Sequence, residues 1–263
     1  LFAAWREFCR GKRSKPDVQK FEWQLEDNLF SLYDSLLVCA YSPEAYQEFV
    51  IADPKPRRIH KASVRDRVLH QAVYRVLYQI FDPLFIFDSY SCREKKGVHR
   101  AVDRLERFAR SASQNWRLAA YALKGDIRKF FDSVDQDILL DLLRDKIDCP
   151  NTFALLKQLI RSFPAGLPLG NVTSQLFANV YLNELDQFAK HNLRARYYIR
   201  YCDDFVILDQ QPENLKKLII PLRHFLKSKL NLALHDDKII IRKLRQGIDY
   251  LGYVCFYKFF SSL

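Results

Sequence analysis

A pair of adjacent aspartates at the centre of a β-rich segment restricts what this chain can fold into. The segment from Tyr197 to Leu208 is rich in aromatic and β-branched residues, and Asp203 and Asp204 interrupt it near its midpoint. Apolar runs on both sides of a short polar break predict two antiparallel strands joined by a tight turn. We therefore expect a hairpin that carries two carboxylates at its tip.

Two adjacent carboxylates favour a nearby cation. Each raises the pKa of the other unless a positive charge neutralises them. A third acidic residue, Asp126, directly follows an apolar run that we interpret as a buried strand over residues 117–124. Carboxylate oxygens suit Mg²⁺, which prefers oxygen ligands. A solvated Asp-Asp turn is the ordinary alternative for the pair taken alone, whereas its combination with Asp126 favours a metal site.

The other local patterns mix helices and strands without regular β-α-β alternation, which predicts an α+β fold. Apolar residues recur at helical spacing in several segments, while Pro54 and Pro56 exclude a helix around them. Helices are predicted over residues 1–40 with a basic break at 11–16, and over 65–81, 153–163, 173–190 and 215–226, the last containing Pro221. Extended structure is predicted over residues 49–59 and 238–257.

The charge of the chain points to a polyanionic partner. Lysine and arginine number 42 against 31 acids, which gives a net charge of +11. A surplus of this size suggests nucleic acid, an anionic membrane or an acidic protein, although a protein that is merely basic would show it too. No apolar run is long enough to span a membrane, so we expect no membrane partner.

The cysteine and methionine content indicates the redox environment of the chain and whether its sequence is trimmed. Six scattered cysteines without a C-x-x-C pair argue against a disulfide framework or a zinc site and favour a reducing, cytoplasmic location. The sequence contains no methionine. We therefore expect it to be trimmed at its start, and to lack material after its abrupt end.

Seven segments, in order along the chain, resemble the motifs of reverse transcriptases. The most specific is Tyr201-Cys202-Asp203-Asp204, which is similar to the Tyr-x-Asp-Asp box of that family. The others are Pro54–Arg58 with Arg65–Arg67, Ser91–Gly97, Asp126–Phe131, Gly166–Gln175, Leu234–Lys238 and Tyr250–Tyr253. Each motif is modestly specific alone. Their order and spacing over residues 49–257 make the resemblance strong.

The resemblance implies a right-hand polymerase fold of the α+β class. Its palm is an antiparallel sheet backed by helices, and we expect the thumb to be short or missing. The implied domains are an N-terminal helical segment at 1–48, fingers at 49–116, a palm with an interleaved fingers segment at 117–257, and the start of a thumb or a truncated end at 258–263.

The same resemblance implies nucleotidyl transfer with two Mg²⁺ ions, or Mn²⁺ in their place. Asp126 and Asp203 are the implied shared ligands, with help from the backbone carbonyl of Ile127, and Asp204 supports them. Lys238 is the implied general acid that protonates the departing pyrophosphate. A surface lysine is the ordinary alternative for that residue.

Substrate contacts are implied at further positions. Phe131 is the expected steric gate that excludes a ribose 2′-hydroxyl, and Phe130 is expected in the core. Lys55, Arg57 and Arg58 are expected at the triphosphate, with Arg57 preferred, although a solvated basic loop explains them equally well. Leu169, Gly170, Ser174 and Gln175 are expected to line the base-pair pocket, and Gly252 and Tyr253 to hold the primer end.

Two departures narrow the subfamily. Leu169 stands where group II intron and retroviral-type enzymes usually carry glutamine, and Gln175 stands where they carry proline. This pattern is similar to the enzymes of diversity-generating retroelements, which copy a template-repeat RNA with frequent errors at adenines. The implied partners are an RNA template, a DNA or RNA primer, dNTPs and a small basic, oligomeric accessory protein.

Other functions stay open. The first alternative is an antiphage-defence or group II intron-like reverse transcriptase. The second is a catalytically idle RNA-binding protein on the same fold, which the charge would explain equally well. A metal-free hydrolase is a third, although no paired nucleophile or histidine base accompanies the carboxylates.

Overall fold

The computed structural model describes residues 1–52, 56–255 and 260–262. Lys55 and residues 258, 259 and 263 of the expected thumb segment lie outside these residues. The chain forms two compact units. The N-terminal unit comprises Leu1–Pro83 and Asp135–Ala178. The other comprises Leu84–Val134 and Asn179–Leu263 and is named the palm unit for the expected palm residues that it contains, while the predicted domain bounds stay predictions.

The described residues form α-helices and β-strands in the following order. The helices are α1 Phe2–Phe8, α2 Pro16–Trp23, α3 Leu25–Leu37, α4 Val64–Phe81, α5 Val98–Ala112, α6 Phe130–Ser133, α7 Gln136–Arg144, α8 Pro150–Arg161, α9 Val172–Gln187 and α10 Pro212–Leu230. The strands are β1 Gln47–Ala52, β2 Pro56–Lys61, β3 Tyr121–Asp126, β4 Tyr197–Tyr201, β5 Asp204–Asp209, β6 Ile240–Lys243, β7 Ile248–Tyr250, β8 Tyr253–Cys255 and β9 Phe260–Ser262.

The palm unit is built on a four-stranded antiparallel sheet in the order β4-β5-β3-β6. Successive side chains of a strand point to opposite faces. Ala122, Ile199 and Val206 therefore share one face, where they pack in a single apolar cluster with Leu105 and Phe108 of α5. A smaller sheet in the order β7-β8-β9 follows. The unit is thus an antiparallel sheet backed by helices, as the resemblance implies for a palm.

The N-terminal unit is mainly helical. Helix α4 begins where the Ser63 hydroxyl accepts a hydrogen bond from the Asp66 N–H, which satisfies a donor that the first turn leaves free. Val64 and Val68 of α4 pack with Trp5 and Phe8 of α1. Strands β1 and β2 form a separate antiparallel hairpin whose β1 side chains are exposed. The same unit therefore presents a two-stranded ribbon beside a helical core.

Several predicted elements are confirmed with shifted bounds. The hairpin around Asp203 and Asp204 is present as predicted. The strand predicted at 117–124 instead begins at Tyr121 and ends with Asp126, so this carboxylate belongs to the strand itself. Helix α10 continues through Pro221, because Leu222 and its apolar neighbours on that helix are buried.

One predicted extended segment is confirmed with interruptions, and three helices were missed. Up to Cys255, the extended structure predicted over residues 238–257 is present as β6, β7 and β8, but a short 3₁₀ turn at Asp236–Lys238 precedes β6 and another at Leu244–Gln246 separates β6 from β7. Gly247, at φ 80°, redirects the chain between the two sheets. Helices α5, α6 and α7 were not predicted. No helix among the described residues is long and apolar enough to cross a bilayer.

Candidate active site

The tip of the β4–β5 hairpin is a two-residue loop. Tyr201 pairs with Asp204, which leaves Cys202 and Asp203 in the turn. Cys202 has φ 54°, a left-handed conformation that a side chain other than glycine adopts at a cost of about 1 kcal/mol or more. Such a backbone persists only when neighbouring contacts fix it. The loop that carries Asp203 is therefore held in place by its surroundings.

Strand β3 brings Asp126 next to this tip. Asp126 is the antiparallel partner of Asp204, so the two carboxylates lie side by side on one face of the sheet. The preceding pair is Gly125 and Phe205, and a Cβ at Gly125 would lie 2.4 Å from the Phe205 ring. Glycine is therefore required at that position, because any side chain would displace the ring beside the acidic pair.

Backbone hydrogen bonds fasten the end of β3 on both sides. The Ile127 N–H donates to the Asp203 carbonyl oxygen at 3.3 Å. On the opposite edge, the Arg128 N–H donates to the Ala233 carbonyl oxygen and the His235 N–H to that of Asp126, both at 2.9 Å. The chain that leads to Lys238 is thus tied to the same strand end. The predicted contact of the Ile127 carbonyl with a metal stays a prediction.

Lys238 forms an ion pair with the first carboxylate. Its Nζ lies 2.7 Å from Asp126 Oδ2. The hydrogen bond to Asp126 is the main cause of the raised pKa of Lys238, and the charges of Asp126, Asp204 and Asp203 add to it. The structure therefore brings together the four residues predicted to be catalytic: Asp126, Asp203, Asp204 and Lys238.

The pKa values of both aspartates of the hairpin are raised, so their neutral forms are favoured. Burial, and then the negative charges of Asp203 and Asp126, raise the pKa of Asp204 to about 6, against the opposing charges of Lys124 and Lys238. Burial is also the main cause of the raised pKa of Asp203, and the Asp126 charge adds to it. A cation placed among these groups would reverse both shifts.

This donor set suits a hard divalent cation. Within the described ranges, no group of three or more histidine, cysteine, aspartate or glutamate side chains is gathered closely enough to hold a metal ion by itself. Mg²⁺ does not need such a cage, because it is usually held by one or two carboxylates together with substrate phosphates and water. Asp126 and Asp203 fit that requirement, with Asp204 beside them.

The two phenylalanines after Asp126 differ in exposure. Phe130 is 2% exposed, and its ring centroid lies 6.5 Å from that of Tyr181. Phe131 is half-buried and meets the Phe130 ring edge-on at 5.3 Å. The core position predicted for Phe130 is confirmed. Phe131 keeps part of its ring accessible, as its predicted gate role requires.

The predicted primer-binding pair lies in the smaller sheet of the palm unit. Tyr250 pairs with Tyr253, and the intervening Leu251 and Gly252 have φ 57° and 81°. Two consecutive positive φ angles are the signature of a type I′ hairpin turn. The Tyr253 hydroxyl lies 3.2 Å from His99 Nδ1. Gly252 is exposed at the turn, where a backbone contact with a primer is geometrically open.

The other predicted substrate residues lie in the N-terminal unit. Arg57 and Arg58 are exposed on β2, and Arg58 faces Glu48 at 3.6 Å. The His60 N–H of β2 donates to the Leu169 carbonyl oxygen at 2.8 Å. Gly170 has φ 133°, and a Cβ there would lie 2.8 Å from the His60 carbonyl oxygen. The basic strand and the predicted template segment are thus in direct contact.

A cavity adjoins that template segment. It has a volume of about 250 Å³ and is lined by Gly170 and Gln175 together with Lys12 and Arg67 of the same unit. Gln175 is exposed, whereas Ser174 is buried. A nucleotide contact of the Ser174 side chain would therefore need some opening of its surroundings, and both contacts stay predictions.

Sequence reasoning missed Arg200 and Asp186, which form a fully buried ion pair at 2.6 Å. Arg200 lies in the apolar strand β4, three residues before Asp203. An arginine inside an apolar strand is itself a signal, because a buried guanidinium requires a buried partner. Its partner is not visible in the local sequence.

Comparison with protein families identifies a broad match. The model of a family described as reverse transcriptase (RNA-dependent DNA polymerase) matches residues 52–255. Protein YkfC of Escherichia coli (strain K12) is 24% identical over 270 residues, which cover 84% of this chain and 69% of that protein. The group II intron-encoded protein LtrA of Lactococcus lactis subsp. cremoris is 22% identical over 303 residues, which cover 87% of this chain and 49% of LtrA.

Solved structures share the fold. Apo telomerase from Candida tropicalis, truncated from its C-terminal domain, superposes with a TM-score of 0.65 at 12% identity, over 83% of this chain and 55% of that one. Telomerase from the same organism, in complex with a TWJ fragment of telomeric RNA, gives a TM-score of 0.66 at 13% identity, over 91% and 48%. This chain thus spans about half the length of LtrA and of these structures.

Proposed function

The chain belongs to the reverse transcriptase (RNA-dependent DNA polymerase) family, and on that premise we propose that it extends a primer with deoxynucleotides on an RNA template. The observation that carries the proposal is the register that sets Asp126 beside Asp204, with Asp203 in the adjoining loop and Lys238 at 2.7 Å. The pKa values of Asp203 and Asp204 are raised, and the charge of Asp126 is compensated by Lys238. Three such neighbouring carboxylates favour the binding of a divalent cation over a purely structural role.

Each residue has a separate task in this proposal. Two divalent cations, when bound, supply the charge that activates the primer 3′-hydroxyl and neutralises the leaving pyrophosphate. Asp126 and Asp203 would hold them, and Asp204 would support the pair. Lys238 would give its proton to the leaving pyrophosphate. Phe131 would lie under the sugar and exclude a 2′-hydroxyl.

Primer extension tests the proposal. A primed RNA template, dNTPs and Mg²⁺ are incubated with the chain and with Asp203→Asn. Asp209→Asn serves as a matched control, because Asp209 lies at the opposite end of β5. We expect extension by the parent chain and by the control, and none by Asp203→Asn. Full extension by Asp203→Asn would refute the metal-ligand role.

For the biological role we propose error-prone cDNA synthesis in a diversity-generating retroelement, with a small basic accessory protein as partner. Leu169 and Gln175 support this proposal. Leu169 holds its backbone in place through the bond from His60, so its aliphatic side chain replaces a hydrogen-bonding one without loosening the loop. We expect sequenced products to carry errors concentrated opposite template adenines, and Leu169→Gln to reduce them.

The relatives favour a second role. LtrA is a group II intron-encoded protein, and its alignment covers most of this chain. Accurate products from the same experiment would indicate a group II intron-like or antiphage-defence enzyme instead. Absence of extension on every template, with RNA binding retained, would indicate the idle RNA-binding protein.

A further inference from the structure

Arg200 occupies a position that apolar residues normally fill. It lies in the edge strand β4 and is fully buried. Its backbone continues the sheet outward: the Arg200 N–H donates to the Asp88 carbonyl oxygen at 2.9 Å, and the Tyr90 N–H donates to that of Arg200 at 3.0 Å. The strand is thus held at this residue on its outer edge as well as by β5. The side chain begins from a fixed backbone.

The guanidinium group is saturated with acceptors. It has five N–H donors in a rigid plane, and five hydrogen bonds leave it. Nε and Nη2 bind the two carboxylate oxygens of Asp186 at 2.7 and 2.6 Å, and Nη2 also reaches Ser89 Oγ at 3.1 Å. Nη1 donates to Asn179 Oδ1 at 3.3 Å and to the Cys202 carbonyl oxygen at 2.9 Å.

Four of these bonds anchor the group and one transmits its position. Asp186 is itself fully buried and also accepts from the Tyr198 hydroxyl at 2.7 Å, which fixes the carboxylate. The bond to Cys202 ends on the loop residue immediately before Asp203. Because Cys202 carries the left-handed φ of 54°, a contact on its carbonyl group determines how the following peptide is directed.

We propose that Arg200 is a positioning residue: through its bond to the Cys202 carbonyl group it fixes the loop that aims Asp203, and so sets the affinity of the site for divalent metal. This inference rests on the proposed function, which gives the metal site its role, but its test measures metal binding and not polymerase activity. Lysine cannot replace the group, because an ammonium has three donors and no planar fork to engage Asp186 and Cys202 together.

Titration calorimetry with Mn²⁺ alone tests the inference, at a temperature well below unfolding. The variants are Arg200→Lys, Ser89→Ala and Asp203→Asn. Ser89→Ala is the matched control, because it removes a bond from the same guanidinium but not the one to the loop. We expect Arg200→Lys to weaken Mn²⁺ binding about 10-fold or more, the scale on which residues behind metal ligands act. Ser89→Ala should bind Mn²⁺ as the parent chain does.

A milder variant covers the case in which Arg200→Lys does not fold. Asn179→Ala removes the second acceptor of the same Nη1 and should weaken Mn²⁺ binding in the same direction by a smaller factor. Parent-like binding by a folded Arg200→Lys, or by Asn179→Ala where Arg200→Lys is unfolded, overturns the inference and leaves the polymerase proposal intact. A different outcome would refute the proposed function and support the inference. In that outcome, Mn²⁺ binding depends on Asp203 and Arg200, but the chain does not extend a primer.

Discussion

Lys238 holds Asp126 with its ammonium nitrogen 2.7 Å from the carboxylate oxygen Oδ2. The Lys238 side chain is 45% exposed, whereas that of Asp126 is 14% exposed. The lysine ammonium group therefore has room to move away from the carboxylate, which is held more firmly. Without metal, the lysine supplies the positive charge that this strand end requires. The proposal that Lys238 protonates the leaving pyrophosphate requires this ion pair to open when metal and nucleotide bind.

Replacing Lys238 tests its role as a proton donor. Lys238→Gln should lower the maximal rate of nucleotide incorporation about 100-fold, the lower range of what general acids contribute. The KM for the primed template should be unchanged. Lys243→Gln on β6 is the matched control. Rapid-quench kinetics measure both, and an unaltered rate for Lys238→Gln would leave the residue as a surface lysine.

The raised pKa of Asp204 predicts that the stability of the folded chain depends on pH. Its pKa of about 6 in the folded chain exceeds its ordinary value of 3.8. The folded chain therefore binds the proton more tightly, and stability falls as the pH rises from about 4 to about 6. Asp204→Asn removes this penalty. Without added metal, its Tm at pH 7.5 should exceed that of the parent chain by at least about 2 °C, the shift for about 1 kcal/mol.

The pH profile distinguishes this effect from a general one. At pH 4 the parent Asp204 is mostly neutral, so the two melting temperatures should nearly coincide. An Asp204→Asn gain that is equal at both pH values would show that the carboxylate is not the cause.

Alanine substitutions of the two neighbouring phenylalanines should affect different properties of the protein. Phe131→Ala should raise ribonucleotide incorporation relative to deoxynucleotide incorporation by about 10- to 100-fold, since it opens room for the 2′-hydroxyl. Phe130→Ala should instead cost about 3–5 kcal/mol of stability, because that ring is buried. Competition assays and thermal unfolding measure the two. If Phe131→Ala left sugar selection unchanged, the gate would lie elsewhere.

The adjacent arginines of β2 provide another contrast. Arg57 is exposed, whereas Arg58 faces Glu48 at 3.6 Å. Arg57→Ala should raise the KM for dNTP about 10-fold, which corresponds to losing one hydrogen bond to a charged group. Arg58→Ala should change it less. Equal KM values for Arg57→Ala and the parent chain would assign this strand to a solvated surface.

The acidic hairpin was predictable because its signals are local. Asp203 and Asp204 interrupt a β-rich run, and that pattern predicts a hairpin. It does not predict the exact loop, which consists of Cys202 and Asp203, with Asp204 already in β5. Pro221 misleads by the same local logic. It costs a helix about 3 kcal/mol, but Leu215, Leu222 and Leu226 are buried along α10, and their packing outweighs that penalty.

The Arg200 network was not predictable, because its partners are distant in sequence. Ser89 precedes Arg200 by 111 residues and Asn179 by 21. No periodicity connects such positions, and only the tertiary fold brings them together. Likewise, the side-by-side placement of Asp126 and Asp204 depends on the register between β3 and β5, which neither strand specifies by itself.

The most direct measurement is the rate of the first nucleotide incorporated on a primed RNA template with saturating Mg²⁺, comparing Asp126→Asn with Asp132→Asn. Asp132 is an exposed acid six residues further along the chain and provides the control. If Asp126 is a metal ligand, Asp126→Asn should lower the rate at least about 100-fold while Asp132→Asn retains it. Equal rates for the parent chain and Asp126→Asn would contradict the two-metal account.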